Sequence, residues 1–316
     1  MKSKTSFVKN IVPGDTVEDT FLVSEKYMAI SQKGNPYVNL RLRDRTGEIE
    51  ARIWDNAEAM GELFHKGDIV RVWGRALSYK DSLQLSVSEV GRTADGEYHP
   101  ADYYPASKEN TAEMYAALRD CIGTVTNPYL QALLTAVFDD KDIADSFCLA
   151  PAAKGFHHSY VGGLLTHTLS TTQLLQKMAD HYPQADRDLL IAGGILHDIG
   201  KIAELSFKKM FDYTDEGRLI GHIVLGIEMI DKKIAAIENF PATLAMELRH
   251  ILLSHHGMLE YGSPKRPKTL EALIVYYADD LDAKVNAFRE FMDESDGETN
   301  WTPYHRLLDR FLYRKK

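Results

Sequence analysis

The sequence is poor in cysteine. Its 316 residues include two, Cys121 and Cys148, whose spacing suits neither a thiolate metal site nor a disulfide framework. That usage fits a reducing compartment. No run of about 18 uncharged apolar residues occurs, so no membrane span is expected. Met1-Lys2-Ser3-Lys4-Thr5-Ser6 leads into no apolar segment of the kind that directs export. Together these absences give the expectation of a cytoplasmic protein. There is also no internal repeat and no low-complexity tract.

What is present is ordinary for a globular chain, with 44% hydrophobic and 26% charged residues. A chain of this length exceeds what one core usually serves, so two domains are expected. Charge is divided unevenly. Residues 1–92 hold 14 Lys and Arg against 13 Asp and Glu, net +1, whereas residues 93–316 hold 23 against 33, net −10. An acidic second part offers no general nucleic-acid-binding surface. It suits a cation site, although a solvated acidic exterior explains most of the charge.

Residues 1–92 alternate apolar and polar side chains as strands do. Strands are expected at Val17–Ile30, Tyr37–Arg43, Glu48–Trp54, Ile69–Leu77 and Ser82–Val90. Their inward faces include Val38, Leu40 and Leu42, then Ile49, Ala51 and Ile53, then Leu83, Leu85 and Val87. A short helix, Ala57–Phe64, falls between the third and fourth. Five strands with a helix at that point is the order of an OB-fold, a small Greek-key β-barrel.

The outward residues of these strands interleave aromatic and basic groups: Tyr37, Asn39 and Arg41, then Arg52 and Trp54, then Arg71, Trp73 and Arg75. Rings stack on bases of any sequence and Arg meets phosphate, so Tyr37, Arg41, Arg52 and Trp54 are candidate contacts to single-stranded nucleic acid. The plainer account is a half-solvated sheet face whose Arg residues pair with Glu48 and Glu50.

Residues 93–108 contain Asp95-Gly96, two prolines and three tyrosines, and are expected to be a linker. Residues 109–316 have helical patterning. The expected helices are Ala112–Ile122, Pro128–Phe138, Asp142–Cys148, Tyr160–His181, Arg187–Ile199, Arg218–Ile237, Ala242–Ser254, Leu270–Met292 and one near Pro303–Leu312. The linker tyrosines and the apolar helices leave room for a homo-oligomer.

Within the helical part, His and Asp recur in apolar settings. His197-Asp198 ends the run Asp188–Leu196, which is small and apolar nearly all round and reads as a buried helix. Gly200 is expected to stop it in a left-handed conformation. A buried carboxylate is costly unless it is paired or binds a metal. His167 lies in a helix with small neighbours, His222 opens a helix after Gly221, His255-His256 closes one before Gly257, and Asp279 sits in another. Taken singly, each is more often a hydrogen-bonded core residue. Together, imidazoles and carboxylates without thiolates suit Mn²⁺, Fe²⁺, Co²⁺, Ni²⁺ or Zn²⁺. An Asp between two ions can bridge them.

His167, His197-Asp198 and Asp279, in that order, resemble the H…HD…D signature of the HD phosphohydrolase superfamily, through roughly residues 157–284. The resemblance implies that these four ligate a first metal. It also implies that His222 and His255, with His256 as the neighbouring candidate, serve a second metal, with Asp198 as the bridge. The fold class is then multidomain α and β: an N-terminal five-stranded OB-fold barrel followed by an all-α HD domain.

The pairing of these domains is similar to that of the YhaM family of bacterial 3′→5′ exoribonucleases. The stretches that carry this are Phe156–Thr168, His255–Thr269 and Asp279–Lys284. The similarity implies trimming of single-stranded RNA, with ssDNA as a second substrate, dependence on Mn²⁺ or Co²⁺ (Mg²⁺ also being in range), and nucleoside 5′-monophosphate products. Asp198 and Lys201 would be catalytic, with Lys201 on a phosphoryl oxygen; the plainer role of Lys201 is a cation at a helix C-terminus. His157 and His158 are further candidates for substrate contact. Lys265, Arg266 and Lys268 could grip the nucleic-acid backbone or form a solvated basic loop. An HD-type phosphohydrolase of small nucleotides or cyclic dinucleotides is the rival enzyme, but a nucleotidase has little need for an OB-fold, and the Gly-Tyr-Pro signature of the cyclic-dinucleotide branch is replaced here by Glu260-Tyr261-Gly262-Ser263-Pro264. An inactive nucleic-acid-binding adaptor is the rival of another class, and the intact ligand positions argue against it.

Overall fold

The computed structural model describes residues 4–79, 82–94, 97–104, 110–153, 160–206, 212–295, 299–306 and 308–315. His157 and His158 lie outside them. The chain forms two compact units, Met1–Ala106 with Ser206–Asp212, and Ser107–Leu205 with Tyr213–Lys316.

In the first unit, β1 (Thr16–Ile30), β2 (Pro36–Asp44), β3 (Gly47–Ile53), β4 (Ile69–Tyr79) and β5 (Ser82–Arg92) close into a barrel of order β1-β2-β3-β5-β4. β3 and β5 run parallel and the other neighbouring strands antiparallel. Helix α1 (Ala57–Glu62) sits between β3 and β4, as the patterning predicts. Period-two alternation sends Val38, Leu40, Leu42, Ile49, Ala51, Ile53, Leu85 and Val87 into one buried core. An unexpected resident is Lys4, whose ammonium lies 3.6 Å from the Phe21 ring centroid and pairs with Asp44 at 3.7 Å. Burial pulls its pKa down to about 8 against the pull of Asp19 and Asp44.

The stretch expected as a linker is, over residues 97–104, laid down on its own unit. Tyr98, Tyr103 and Tyr104 are buried, and the Tyr103 hydroxyl donates to Thr20 Oγ1 at 2.6 Å. These rings are therefore not available for self-association. Their burial has no periodic signal, because the three rings come from a backbone that is neither strand nor α-helix.

The second unit is helical: α2 (Thr111–Gly123), α3 (Pro128–Phe138), α4 (Lys141–Leu149), α5 (Gly163–His181), α6 (Arg187–Leu196), α7 (Lys201–Glu204), α8 (Asp215–Leu219), α9 (His222–Ile234), α10 (Ala242–Ser254) and α11 (Leu270–Glu294). Among the described residues no helix is long and apolar enough to cross a membrane. Asp and Asn cap the starts of α2, α3, α4 and α6 by accepting from first-turn amides. α6 is buried from Asp188 to Leu196. Its glycines make that possible: a Cβ on Gly194 would come within 2.4 Å of Leu175 on α5, and one on Gly193 within 2.9 Å of Ile251 on α10.

Three expectations are corrected. Gly200 is right-handed, at φ −65°, so left-handed freedom is not its role. A Cβ there would stand 2.0 Å from the His222 carbonyl oxygen and 2.5 Å from the Gly226 amide. Gly200 lets α9 approach the backbone beside His197-Asp198. Second, Arg218–Ile237 is not one helix. Gly221, at φ +81° and ψ 154°, separates α8 from α9, and the Glu204 carboxylate accepts from the His222 amide at 3.0 Å. Third, the described residues near Pro303–Leu312 form no helix. They make antiparallel bridges, Trp301 to Tyr313 and His305 to Arg310, with Trp301 on Tyr313 and Tyr304 on Phe311. Cross-strand aromatic pairs and a left-handed Asp309 favour a hairpin over a helix.

Candidate metal centre

Five helices deliver seven side chains to one point. α5 carries His167 in its second turn, and the turn after α6 carries His197-Asp198. His222 begins α9, His255-His256 follows α10, and Asp279 lies within α11. All seven were named from the sequence, and the tertiary structure gathers all seven.

They form two clusters. His167, His197 and Asp279 have ligand atoms within 4.8 Å of one another, and so do His222, His255 and His256. In the first, Nε2 of His167 is 3.3 Å from Nε2 of His197 and 3.1 Å from Oδ1 of Asp279. Asp198 lies between the clusters. Its Oδ2 is 3.3 Å from His197 Nε2 and 3.7 Å from His167 Nε2. Its Oδ1 is 3.5 Å from His222 Nε2 and 3.6 Å from His255 Nε2. Ligands that share an ion at about 2 Å stand about 3 Å apart, so these spacings fit ion coordination.

The hydrogen bonds point the same way. Nδ1 of His197 donates to the Gly194 carbonyl at 2.8 Å, and Nδ1 of His255 to the Leu252 carbonyl at 2.7 Å. Nδ1 of His256 donates to the Tyr261 carbonyl at 3.0 Å. Nδ1 of His167 donates to Asp282 at 2.8 Å and Nδ1 of His222 to Glu204 at 3.0 Å. With Nδ1 donating and tied down, each ring in its neutral form has its lone pair on Nε2, as a metal-ligating histidine does; His167 reaches that form when it gives up the Nε2 proton it shares with Asp279. Asp198 Oδ1, His222 Nε2 and His255 Nε2 are buried without a hydrogen-bond partner among the described residues. Orphaned buried polar atoms are costly, and a cation between them would satisfy all three. The donor set fits a divalent metal.

Electrostatics show the strain of crowding these groups. Burial works against ionisation of Asp198, but Lys201 and His197 hold its carboxyl well below the usual range. Asp279 is likewise held low, against burial, mainly by its hydrogen bond to His167. Burial depresses His167, yet the bonds to Asp279 and Asp282 more than offset this and raise it to about 9. Burial, aided by His255, pulls His256 down to about 4. Lys201 donates to Asp198 Oδ2 at 2.6 Å and, although burial opposes its charge, that carboxylate raises its pKa.

Asp198, Lys201, His255, His256 and Asp279 open onto a cavity of about 300 Å³. Lys265 and Arg266 are exposed on the loop after α10 and are not part of its wall. Sequence reasoning missed Glu204 and Asp282 as supports for His222 and His167. Asp282 lies one turn beyond Asp279, a spacing that could have flagged it; Glu204 carried no such signal.

On the barrel, Tyr37 and Trp54 stack at 4.6 Å, and the Arg52 guanidinium lies 5.7 Å from the Trp54 centroid. Arg41 stands 3.8 Å from Glu48, and Arg52 stands 3.9 Å from Glu50. The aromatic-basic face and its acidic neighbours are thus both present.

Residues 164–284 match the HD domain family, and residues 22–91 match an OB-fold nucleic acid binding domain. Fold and site define a class: a nucleic-acid-binding barrel joined to a metal-dependent HD phosphodiesterase. The chain is 36% identical over 274 residues to the 3′-5′ exoribonuclease YhaM of Listeria monocytogenes serotype 4b (strain CLIP80459), across 86% of this chain and 87% of that relative. It belongs to the YhaM family of 3′-5′ exoribonucleases. Among solved structures, the second OB-fold domain of replication protein A from Methanococcus maripaludis is 22% identical, covers 30% of this chain and 96% of that one, and has a TM-score of 0.24. PriB from Ralstonia solanacearum is 15% identical, covers 25% and 98%, and has a TM-score of 0.23.

Proposed function

We propose that this chain is a divalent-metal-dependent 3′→5′ exoribonuclease that shortens single-stranded RNA and releases nucleoside 5′-monophosphates. The observation that carries the proposal is the position of Asp198, with one carboxylate oxygen toward each histidine cluster. The polarity of attack follows from family membership.

In this scheme His167, His197, Asp198 and Asp279 would hold one ion, and His222, His255 and His256, with Asp198, would hold a second. Imidazole and carboxylate donors without thiolate favour Mn²⁺ or Co²⁺. Such ions supply positive charge for the phosphodiester and lower the pKa of a bound water toward neutrality.

The chain's own residues do the rest. Glu204 and Asp282 fix the ring planes of His222 and His167, so the ligand atoms need no rearrangement when charge develops. Lys201 keeps its proton, because Asp198 raises its pKa. It stands at the cavity wall as a fixed donor to a nonbridging phosphoryl oxygen. The cavity admits the chain end and shields the attacked phosphorus from bulk water. Lys265 and Arg266, exposed beside this region of sequence, serve the approaching backbone rather than the scissile phosphate. Tyr37, Arg41, Arg52 and Trp54 give the barrel a sequence-tolerant grip on RNA. Tethering then raises the local concentration of the 3′ end.

The test is a 3′-labelled RNA assay on chelator-treated protein supplied with a metal series. Monophosphate release should return with Mn²⁺ or Co²⁺ and stop when a 3′-phosphate blocks the RNA. Metal-independent cleavage, or products longer than one nucleotide, would refute the proposal. A matched ssDNA arm decides whether the sugar is discriminated.

A further inference from the structure

We propose that the aromatic wall of the metal cavity seats the 3′-terminal base, with Tyr261 and Tyr276 as its stacking surfaces and Leu308 as an apolar contact. This rests on the exoribonuclease function proposed above and assigns the substrate-binding part of the same site.

The cavity has two characters. Asp198, Lys201, His255, His256 and Asp279 supply charge and imidazole, the chemistry that meets a phosphate. Tyr261, Tyr276 and Leu308 also line it and supply flat or apolar surface that no step at phosphorus uses. At about 300 Å³ the cavity lies at the lower end of small-ligand sites, roughly 300–1,000 Å³. That is room for one terminal nucleotide and not for a run of them.

Both rings are held in register with the histidine pair. The turn Leu259–Tyr261 is anchored by its carbonyl, since His256 Nδ1 donates to Tyr261 O at 3.0 Å. The Tyr276 ring packs over Gly257, where a Cβ would come within 2.2 Å of the ring. Gly257 also has φ +72°, a conformation a side chain would strain. The residue following His255-His256 is therefore glycine for two reasons, and one of them is the seating of Tyr276. Tyr261 leaves 65% of its surface exposed, so this ring is open to a partner. Leu308 arrives from a separate segment, the bridged pair around His305 and Arg310.

Stacking suits the task. An exonuclease that removes every terminal nucleotide must bind all four bases, and every base has a π-face. Tyrosine rings and a leucine give affinity without hydrogen-bond discrimination. With the base on this wall, the adjoining phosphate lies toward Asp198 and Lys201.

The experiment compares RNA ending in a normal nucleotide with RNA ending in an abasic residue, at saturating Mn²⁺. Tyr261→Ala should raise KM on normal ends by roughly 5- to 150-fold, with kcat changed far less. On abasic ends it should match wild type, and Tyr261→Trp should restore the normal-end KM. Metal content equal to wild type would show the ligand cluster intact. If Tyr261→Ala loses metal, Leu308→Ala is the second variant and must show the same loss, confined to base-bearing ends. Equal KM of wild type for both ends, or equal losses on both in the variants, overturns the base seat while leaving the exoribonuclease intact. If wild type releases no monophosphate from either RNA, the parent function fails and the seat fails with it.

Discussion

Nδ1 of His167 lies 2.8 Å from Oδ2 of Asp282, across 115 residues of sequence. Asp282 contributes no atom to either histidine cluster, and Ser170 also donates to it, at 2.5 Å. It is a positioning residue that turns Nε2 of His167 toward Asp279 and Asp198.

Asp282→Ala should therefore weaken metal binding by roughly 10- to 100-fold, the usual effect of removing a partner behind a ligating histidine. Calorimetric titration with Mn²⁺ measures it, and circular dichroism checks that the helices persist. Unchanged affinity would mean that the backbone alone orients His167.

Asp198→Ala removes the carboxylate between the two clusters. Hydrolysis of labelled RNA should fall below detection while RNA binding, measured by fluorescence anisotropy, is largely retained, because the substitution leaves Tyr37, Arg41, Arg52 and Trp54 of the barrel and the Tyr261 ring in place. Wild-type turnover in this variant would dismiss the central role of Asp198.

Trp54→Ala combined with Arg52→Ala should weaken capture of long RNA, at about 1–3 kcal/mol for the lost ring. Turnover of dinucleotides should change less. Identical losses on both substrates would give the barrel a different task.

Metal uptake should depend on pH unequally at the two clusters. In the ion-free protein Asp279 and Asp282 raise His167 to about 9, so at neutral pH this ring holds a proton that an ion must displace. Affinity at the first cluster should rise as pH approaches 9, with proton release on binding. Burial lowers His255, and lowers His256 to about 4. These rings are already deprotonated at neutral pH, so the second cluster should respond less between pH 6 and 9. Titrations in buffers of different ionisation enthalpy would count the protons; equal release in both phases would contradict the assignment.

Gly200→Ala should destabilise the helical unit by about 1–3 kcal/mol or more, as overpacking does. The atoms a Cβ would strike belong to the backbone of His222 and Gly226 and cannot rotate away. A lowered Tm with reduced Mn²⁺ binding is expected; an unchanged Tm would show that α9 shifts freely.

Much of this protein was legible in its sequence, because two kinds of signal are local. Alternation at period two marks the barrel strands, and their order with α1 between the third and fourth specifies the closure. The seven candidate ligands declared themselves as His and Asp in apolar surroundings, where unpaired polar groups are costly. Tertiary structure alone decided what those groups do to one another. It placed Asp198 with an oxygen toward each cluster, set Glu204 and Asp282 behind two of the rings, and brought Tyr261, Tyr276 and Leu308 to the same cavity. It also gave Gly200 its purpose, a close approach to α9 in place of a left-handed stop, and made a hairpin of the C-terminal segment. Those facts depend on distances between residues far apart in the chain, and no periodicity or neighbouring residue encodes them.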